Sequence, residues 1–377
     1  MRKRTGILVG LAVSLILALP ARGAELELEA ESCLLMERET GQVLYEWEGH
    51  LPMEPASVTK IMTMLLTAEA LERGELSLEE TVTVSAQAAG MGGSQVYLEE
   101  GERMTVSDLL KAVAVASGND ASVALAEHLR GSESAFVDRM NERAGELGME
   151  DTQFLNCTGL PEQGHQTTAY DIALMSRALL EHELIRDYTT IWMDSLRNGA
   201  FQLANTNKLI RTYPGATGLK TGFTNSAGYC LSASALRDGM ELIAVVLGGE
   251  SSQSRFADAK RLLDYGFGRW TVKDLSPEGS LPPIPVRLGR QATVQPVLGE
   301  EARLLLEKEQ AGLIRRELEL AEELEAPVEP GAKVGSLTIW LEEEVLVRYP
   351  VVALEGAERR SFGEIFLSLL SGCLPRL

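Results

Sequence analysis

Strand-forming runs stand at the two ends of the first 275 residues, and the stretch between them reads as helical. At the N-terminal end, SCLLMERETGQVLYEWEG splits at Glu39-Thr40-Gly41 into two apolar halves, the pattern of a hairpin. At the other end GLKTGFT, GYCLSASAL and LIAVVLGG follow one another across Asn225-Ser226-Ala227 and Arg237-Asp238-Gly239, a three-strand meander. The hairpin must join the meander to complete a sheet, so the expected fold class is α+β: an antiparallel five-stranded sheet flanked by the intervening helices.

The helices have their own signals. From Ser57 to Arg73 the apolar residues Ile61, Met62, Met64, Leu65, Leu66, Ala68 and Leu71 are too dense for an exposed face, and Gly74 follows as a stop, so this helix is expected to be buried. Further helices are expected from Thr105 and Thr168, where Thr105-Val-Ser-Asp108 and Thr168-Ala-Tyr-Asp171 read as capping boxes, and near Asn119 and Ser134. SRFADAKRLLDYGF closes the series after the meander.

Four prolines between Ser276 and Pro285 mark a linker, 276–285. Beyond it TVQPVL, SLTIWL and EVLVRYPVVAL predict a small β domain over 286–356. Glu300 to Glu325 is ambiguous, because its charge density suits a helix while RRELELAEELEA alternates like a strand. The tail 357–377 sets Phe362, Ile365, Phe366, Leu369 and Leu370 on one side of a helix, which fits an amphipathic anchor on a membrane surface or packing against the β domain.

Residues 1–23 carry Met-Arg-Lys-Arg, an apolar run from Ile7 to Leu19 and small residues around Gly23, the signature of a secretory signal peptide. The apolar run is shorter than the roughly 20 residues of a spanning helix. Removing it takes four basic and no acidic residues, leaving 31 basic against 55 acidic side chains and a net charge of −24. That balance argues against nucleic acid as a partner. Cys33, Cys157, Cys230 and Cys373 lie far apart with no zinc spacing and read as small buried apolar residues.

In EPASVTKIMT, Ser57 and Lys60 fall three residues apart at a helix head, where one helical face brings hydroxyl and amine together. A serine needs such a neighbour to become a nucleophile, but a lone S-x-x-K is more often a cap and an exposed lysine. Ser117-Gly118-Asn119 in ASGNDAS and Lys220-Thr221-Gly222 in GLKTGFT alter that balance. S-x-x-K, S-x-N and K-T-G in this order form the set found in penicillin-binding proteins and serine β-lactamases.

With these motifs, and with NCTGLPEQGHQTTAYDIA and SRFADAKRLLDYGF, the mature chain over 24–275 and its β domain resemble the D-alanyl-D-alanine carboxypeptidases among the low-molecular-mass penicillin-binding proteins. The resemblance implies a β-lactamase/transpeptidase-like catalytic domain. It also implies an exported enzyme, peripheral on the outer face of the cytoplasmic membrane, that removes the terminal D-alanine from peptidoglycan pentapeptides through an acyl-enzyme on Ser57 and is acylated by β-lactam antibiotics. No metal or organic cofactor is required. On this resemblance Lys60 takes the Ser57 proton, its pKa lowered by burial and by Lys220. Ser117 passes a proton to the departing nitrogen, and Asn119 orients Lys60 and bonds the substrate peptide. Lys220 and Thr221 hold the substrate carboxylate, Gly222 lets the substrate backbone approach, and the N–H groups of Ser57 and Phe223 form the oxyanion hole.

Three alternatives are weighed. A β-lactamase uses an extra base, often in an E-x-x-L-N stretch, and none occurs between the second and third motifs. An inactive wall-binding or drug-sensing protein should lack one of Ser57, Lys60 and Lys220, and all three are present. A Ser–His–Asp triad through His165 and Asp171 is disfavoured because Asp171 is already explained as a cap. Arg255 suits either extra positive charge near the substrate carboxylate or a surface ion pair.

Overall fold

The structure is a computed structural model and describes residues 26–373, with side chains to residue 367. The expected signal segment lies outside the described residues. The early hairpin is formed by β1 (Ser32–Glu37) and β2 (Val43–Trp47), antiparallel with Cys33 opposite Trp47. The Glu37 carboxylate accepts the Thr40 N–H and hydroxyl, both at 2.7 Å, and Gly41 closes the turn at φ 72°.

The meander is β3 (Ala216–Thr224), β4 (Gly228–Arg237) and β5 (Met240–Gly249). The five strands run in the order β2-β1-β5-β4-β3, every neighbouring pair antiparallel, with Ser32 opposite Leu247 where the two ends of the unit join. β3 is therefore an edge strand.

β5 is buried at every position because both sheet faces are covered. Period-two alternation divides its side chains. Ile243, Val245 and Leu247 enter the core built on the early helices, while Leu242, Ala244 and Val246 pack on Phe256, Ala259, Leu262 and Leu263 of the closing helix. Each such fully buried side chain contributes roughly 1.5–3 kcal/mol.

The dense apolar run becomes α1 (Lys60–Glu72), buried from Lys60 to Ala70 and ended before Gly74 at φ 67°. Around it lie α2 (Val106–Lys111), α3 (Asn119–Arg130), α4 (Glu133–Glu146) and α5 (Ala169–Glu181); α6 (Ser252–Arg269) covers the opposite face of the sheet. The two expected capping boxes are half formed. Thr105 and Thr168 accept the N–H of Asp108 and Asp171, each at 3.1 Å, but the Asp171 carboxylate turns instead to Asp151 N and the Thr152 hydroxyl. The helix expected near Ser134 starts at Glu133 on a Ser132 cap.

The C-terminal domain is all β. Its main sheet pairs Pro296–Leu298, Glu344–Ala353, Lys333–Leu341 and Ile314–Leu320 in that order. The ambiguous 300–325 stretch is thus strand: pairing along Lys333–Leu341 offers Ile314–Leu320 a complete ladder, and Arg315 lies over the Trp340 ring at 4.8 Å. Trp270–Asp274 pairs with Arg303–Glu307, fastening the end of α6 to this domain.

The tail is helical from Phe362 to Cys373. Phe362 and Phe366 stack and stand exposed, whereas the side chains of Leu369 and Leu370 lie outside the described residues. No described helix is long and apolar enough to cross a membrane. Cys33, Cys157 and Cys230 are buried free thiols, and the Cys373 side chain lies outside the described residues.

Candidate active site

Pro55 and Ala56 deliver the chain into one 3-10 turn, Ala56–Thr59, that runs on into α1. Ala56 is left-handed at φ 48°, a conformation costing a non-glycine residue about 1–3 kcal/mol. The Ser57 side chain caps no helix. It is half-buried, and its hydroxyl lies 3.0 Å from Lys60 Nζ, the i, i+3 juxtaposition expected of the motif.

Lys60 is fully buried, and its amine has two further partners, Asn119 Oδ1 and the Thr158 carbonyl, both at 2.7 Å. The Asn119 amide is oriented by its other end, since Nδ2 donates to the Gly92 carbonyl at 2.6 Å. Both partners of Lys60 can therefore only accept. A neutral amine has two N–H bonds and one lone pair; with the N–H bonds spent on these acceptors, the lone pair points at the Ser57 hydroxyl. Burial lowers the Lys60 pKa to about 7, against opposing pulls from Cys157 and Asp120.

Ser117 ends a π turn, Ala112–Ala116, in the left-handed region at φ 63° and ψ 30°. The N-cap of α3 is Gly118, so capping does not account for Ser117. Its hydroxyl is buried with no hydrogen-bond partner among the described residues. Of the two roles implied for Asn119, the geometry contains the orienting of Lys60; one of its two amide N–H bonds is engaged by Gly92, which leaves the other.

The opposite wall is the edge strand β3. Lys220 is buried and donates to the Thr221 carbonyl at 2.9 Å, and the Thr221 hydroxyl donates to Thr206 at 2.8 Å. Burial, then Lys60 and Arg255, push the Lys220 pKa well below that of a free lysine. The expected influence of one lysine on the other thus shows on Lys220, while Lys60 is lowered by burial.

Gly222 has a second reason to lack a side chain besides the expected approach of substrate. A Cβ there would lie 2.9 Å from the Pro55 carbonyl and 3.0 Å from Ser57 N, so the serine turn itself comes close. Phe223 is exposed and packs on Tyr229, ring centroids 4.3 Å apart. Arg255 makes no surface ion pair. It is buried behind β3, donating to the Gly222 carbonyl at 2.8 Å and the Cys230 carbonyl at 3.2 Å.

A third wall, Asn156–His165, carries contacts that motif reading missed. Asn156 Oδ1 accepts the N–H groups of Thr158 and Gly159, an Asx-type turn that presents the Thr158 carbonyl to Lys60. Asn-Cys-Thr-Gly is a turn signal, but nothing local says what its carbonyl meets. His165 touches neither Ser57 nor Asp171; Nε2 lies 2.9 Å from the Thr59 hydroxyl and Nδ1 accepts the Leu155 N–H at 3.1 Å. This geometry rules out the Ser–His–Asp arrangement.

A family model described as D-alanyl-D-alanine carboxypeptidase matches residues 20–251, more than half of the chain. The chain belongs to this D-alanyl-D-alanine carboxypeptidase family. Residues 273–359 match a second model, the C-terminal domain of penicillin-binding protein 5. D-alanyl-D-alanine carboxypeptidase DacF of Bacillus subtilis (strain 168) is 42% identical over 346 residues, covering 90% of this chain and 89% of that one. Among solved structures, penicillin-binding protein 6B of Escherichia coli superposes with a TM-score of 0.73 at 30% identity, covering 89% of this chain and 98% of that one. Penicillin-binding protein D2 of Listeria monocytogenes in its ampicillin-bound form gives 0.60 at 33% identity over 65% of this chain and all of that one. The carboxypeptidase family members are serine-type hydrolases of the penicillin-binding class, and this chain is one of them.

Proposed function

We propose that Ser57 is the nucleophile of this D-alanyl-D-alanine carboxypeptidase and Lys60 the base that activates it. The reading rests above all on the Lys60 amine, whose two fixed acceptors leave its lone pair facing the Ser57 hydroxyl. With a pKa of about 7 roughly half of Lys60 is neutral at neutral pH, where a free lysine would be neutral about once in a few thousand molecules.

Ser57 Oγ attacks the carbonyl carbon of the penultimate D-alanine while its proton passes to Lys60 Nζ. The resulting oxyanion is received by the N–H groups of Ser57 and Phe223. As the C–N bond breaks, the unpartnered Ser117 hydroxyl relays a proton to the departing D-alanine nitrogen, and water then hydrolyses the Ser57 ester. Lys220 and Thr221 bind the substrate carboxylate, and Arg255 adds a second buried positive charge behind them.

β-Lactams follow the same path as far as the ester, as the ampicillin-bound Listeria neighbour suggests. The sequence between Asn119 and Lys220 carries no E-x-x-L-N stretch to supply an extra base, so hydrolysis of that adduct should be slow. Residues 24–275 form the catalytic unit, 276–285 the linker and 286–356 the β domain. The tail 357–377 holds the exported enzyme on the outer face of the cytoplasmic membrane through its exposed Phe362 and Phe366. Fractionation after deleting 357–377 tests the last point: unchanged membrane association would refute it.

For the chemistry the test is Ser57→Ala. D-Alanine release from a soluble pentapeptide and covalent labelling by a fluorescent penicillin should both disappear. Labelling that persists at another serine, mapped by peptide mass, would overturn the assignment.

A further inference from the structure

The buried pair His165 and Thr59 lies beside the site and takes no part in the chemistry just described. Thr59 Oγ1 lies 2.9 Å from the Ala56 carbonyl oxygen and 2.9 Å from His165 Nε2. A carbonyl only accepts, so the Thr59 hydroxyl proton goes to Ala56 O, and the hydroxyl oxygen is left to accept from His165. His165 Nδ1 is itself an acceptor, from the Leu155 N–H. Nε2 therefore carries the ring proton, and every hydrogen in the chain His165 Nε2–H, Thr59 O–H, Ala56 C=O has one direction.

What this chain grips is the peptide unit between Ala56 and Ser57. Its C=O and the Ser57 N–H lie in one plane and point to opposite sides, so fixing the oxygen fixes the direction of the N–H. The unit needs holding, because Ala56 sits in the left-handed region at φ 48°. Gly159 gives the carbonyl its place: a Cβ at Gly159 would fall 1.7 Å from Ala56 O. Burial keeps His165 neutral, its pKa lowered to about 4, so the relay keeps its direction at neutral pH.

We infer that His165 and Thr59 are positioning residues that aim the Ser57 N–H at the oxyanion without touching substrate. The inference rests on the proposed role of that N–H.

The experiment uses the full-length enzyme with an ester substrate ending in D-lactate and its thionoester analogue, whose sulfur is a poorer acceptor for an oxyanion hole. Wild type should favour the oxygen ester. Thr59→Val removes the hydroxyl at nearly constant volume and should lower kcat on the oxygen ester ~10–100-fold with KM little changed, a part of the ~100–1,000-fold typical of losing a whole oxyanion donor. Its preference for oxygen over sulfur should shrink in parallel, and Thr59→Ser should restore both. His165→Ala should reproduce the loss, and the double variant should lose no more than either single one. If wild type discriminates but Thr59→Val keeps its kcat and its preference, the relay is refuted while the oxyanion reading stands. A wild type without preference overturns the oxyanion reading and the relay with it. Should Thr59→Val not fold, His165→Ala and Thr59→Ser give the same decision, with melting temperatures separating misfolding from misaiming.

Discussion

The two lysines of the site are both buried, yet they stand in opposite situations. Lys60, on the helix side, has three fixed neighbours: the acceptors Asn119 Oδ1 and the Thr158 carbonyl, and the Ser57 hydroxyl. Lys220, on the strand side, has one hydrogen bond among the described residues, to its neighbour's carbonyl, and faces the charge of Arg255. A buried cation is costly without an anion. Burial lowers the pKa of both amines and so eases the cost for both; in the proposed reading the substrate carboxylate then favours the charged form of Lys220. On the proposed reading, identical side chains serve as base and anion receptor through their different surroundings.

The sharpest way to break this contrast is Lys60→Arg. A guanidinium keeps charge and donors but does not deprotonate in a protein, so acylation by a penicillin should fall by ~1,000-fold or more, read as the second-order labelling rate. Retained labelling would mean that the base lies elsewhere. Lys220→Ala should have a smaller and more selective effect. kcat/KM for a peptide acid should drop roughly 100-fold, or about 3 kcal/mol, while the C-terminal amide is little affected. Equal losses on both substrates would make Lys220 a structural group.

The smallest effect concerns stability and the third wall. His165 is neutral in the fold, with a pKa of about 4 against the ordinary 6.5. Below pH 6.5 the unfolded chain binds a proton that the folded one does not, so stability is full above that pH and is lost as pH falls towards 4. From pH 7 to pH 5 the loss is about 2 kcal/mol, and urea denaturation of His165→Gln should lack that share of the decline. An unchanged decline in the variant would place the acid sensitivity in other groups.

Most of the catalytic unit was legible because its signals are local. The density of apolar residues in α1, the two turns of the meander and the spacing of Ser57 and Lys60 can each be read within a dozen residues. The sequence is silent where a distant backbone decides. The Thr158 carbonyl meets Lys60 across 98 positions, and a carbonyl has no residue type to betray it. Gly222 reads as room for substrate, and nothing in the sequence shows that Ser57, 165 positions earlier, needs that room as well. In 314–320 the charge pattern left helix and strand open until the partner Lys333–Leu341 was in place.

The glycines around the serine turn also bear on antibiotic resistance. Gly159 and Gly222 approach the Ala56–Ser57 backbone from two different elements; a side chain at Gly159 would strike backbone atoms, and one at Gly222 would strike the Pro55 carbonyl, Ser57 N and the Ala56 Cβ. Neither position has a smaller residue to retreat to, and neither has space for a larger one. Selection for escape from a substrate-mimicking inhibitor therefore has nothing to sample at these two positions. Leu160 and Phe223, by contrast, have solvent beside them, and a change of side chain there leaves the serine turn where it is.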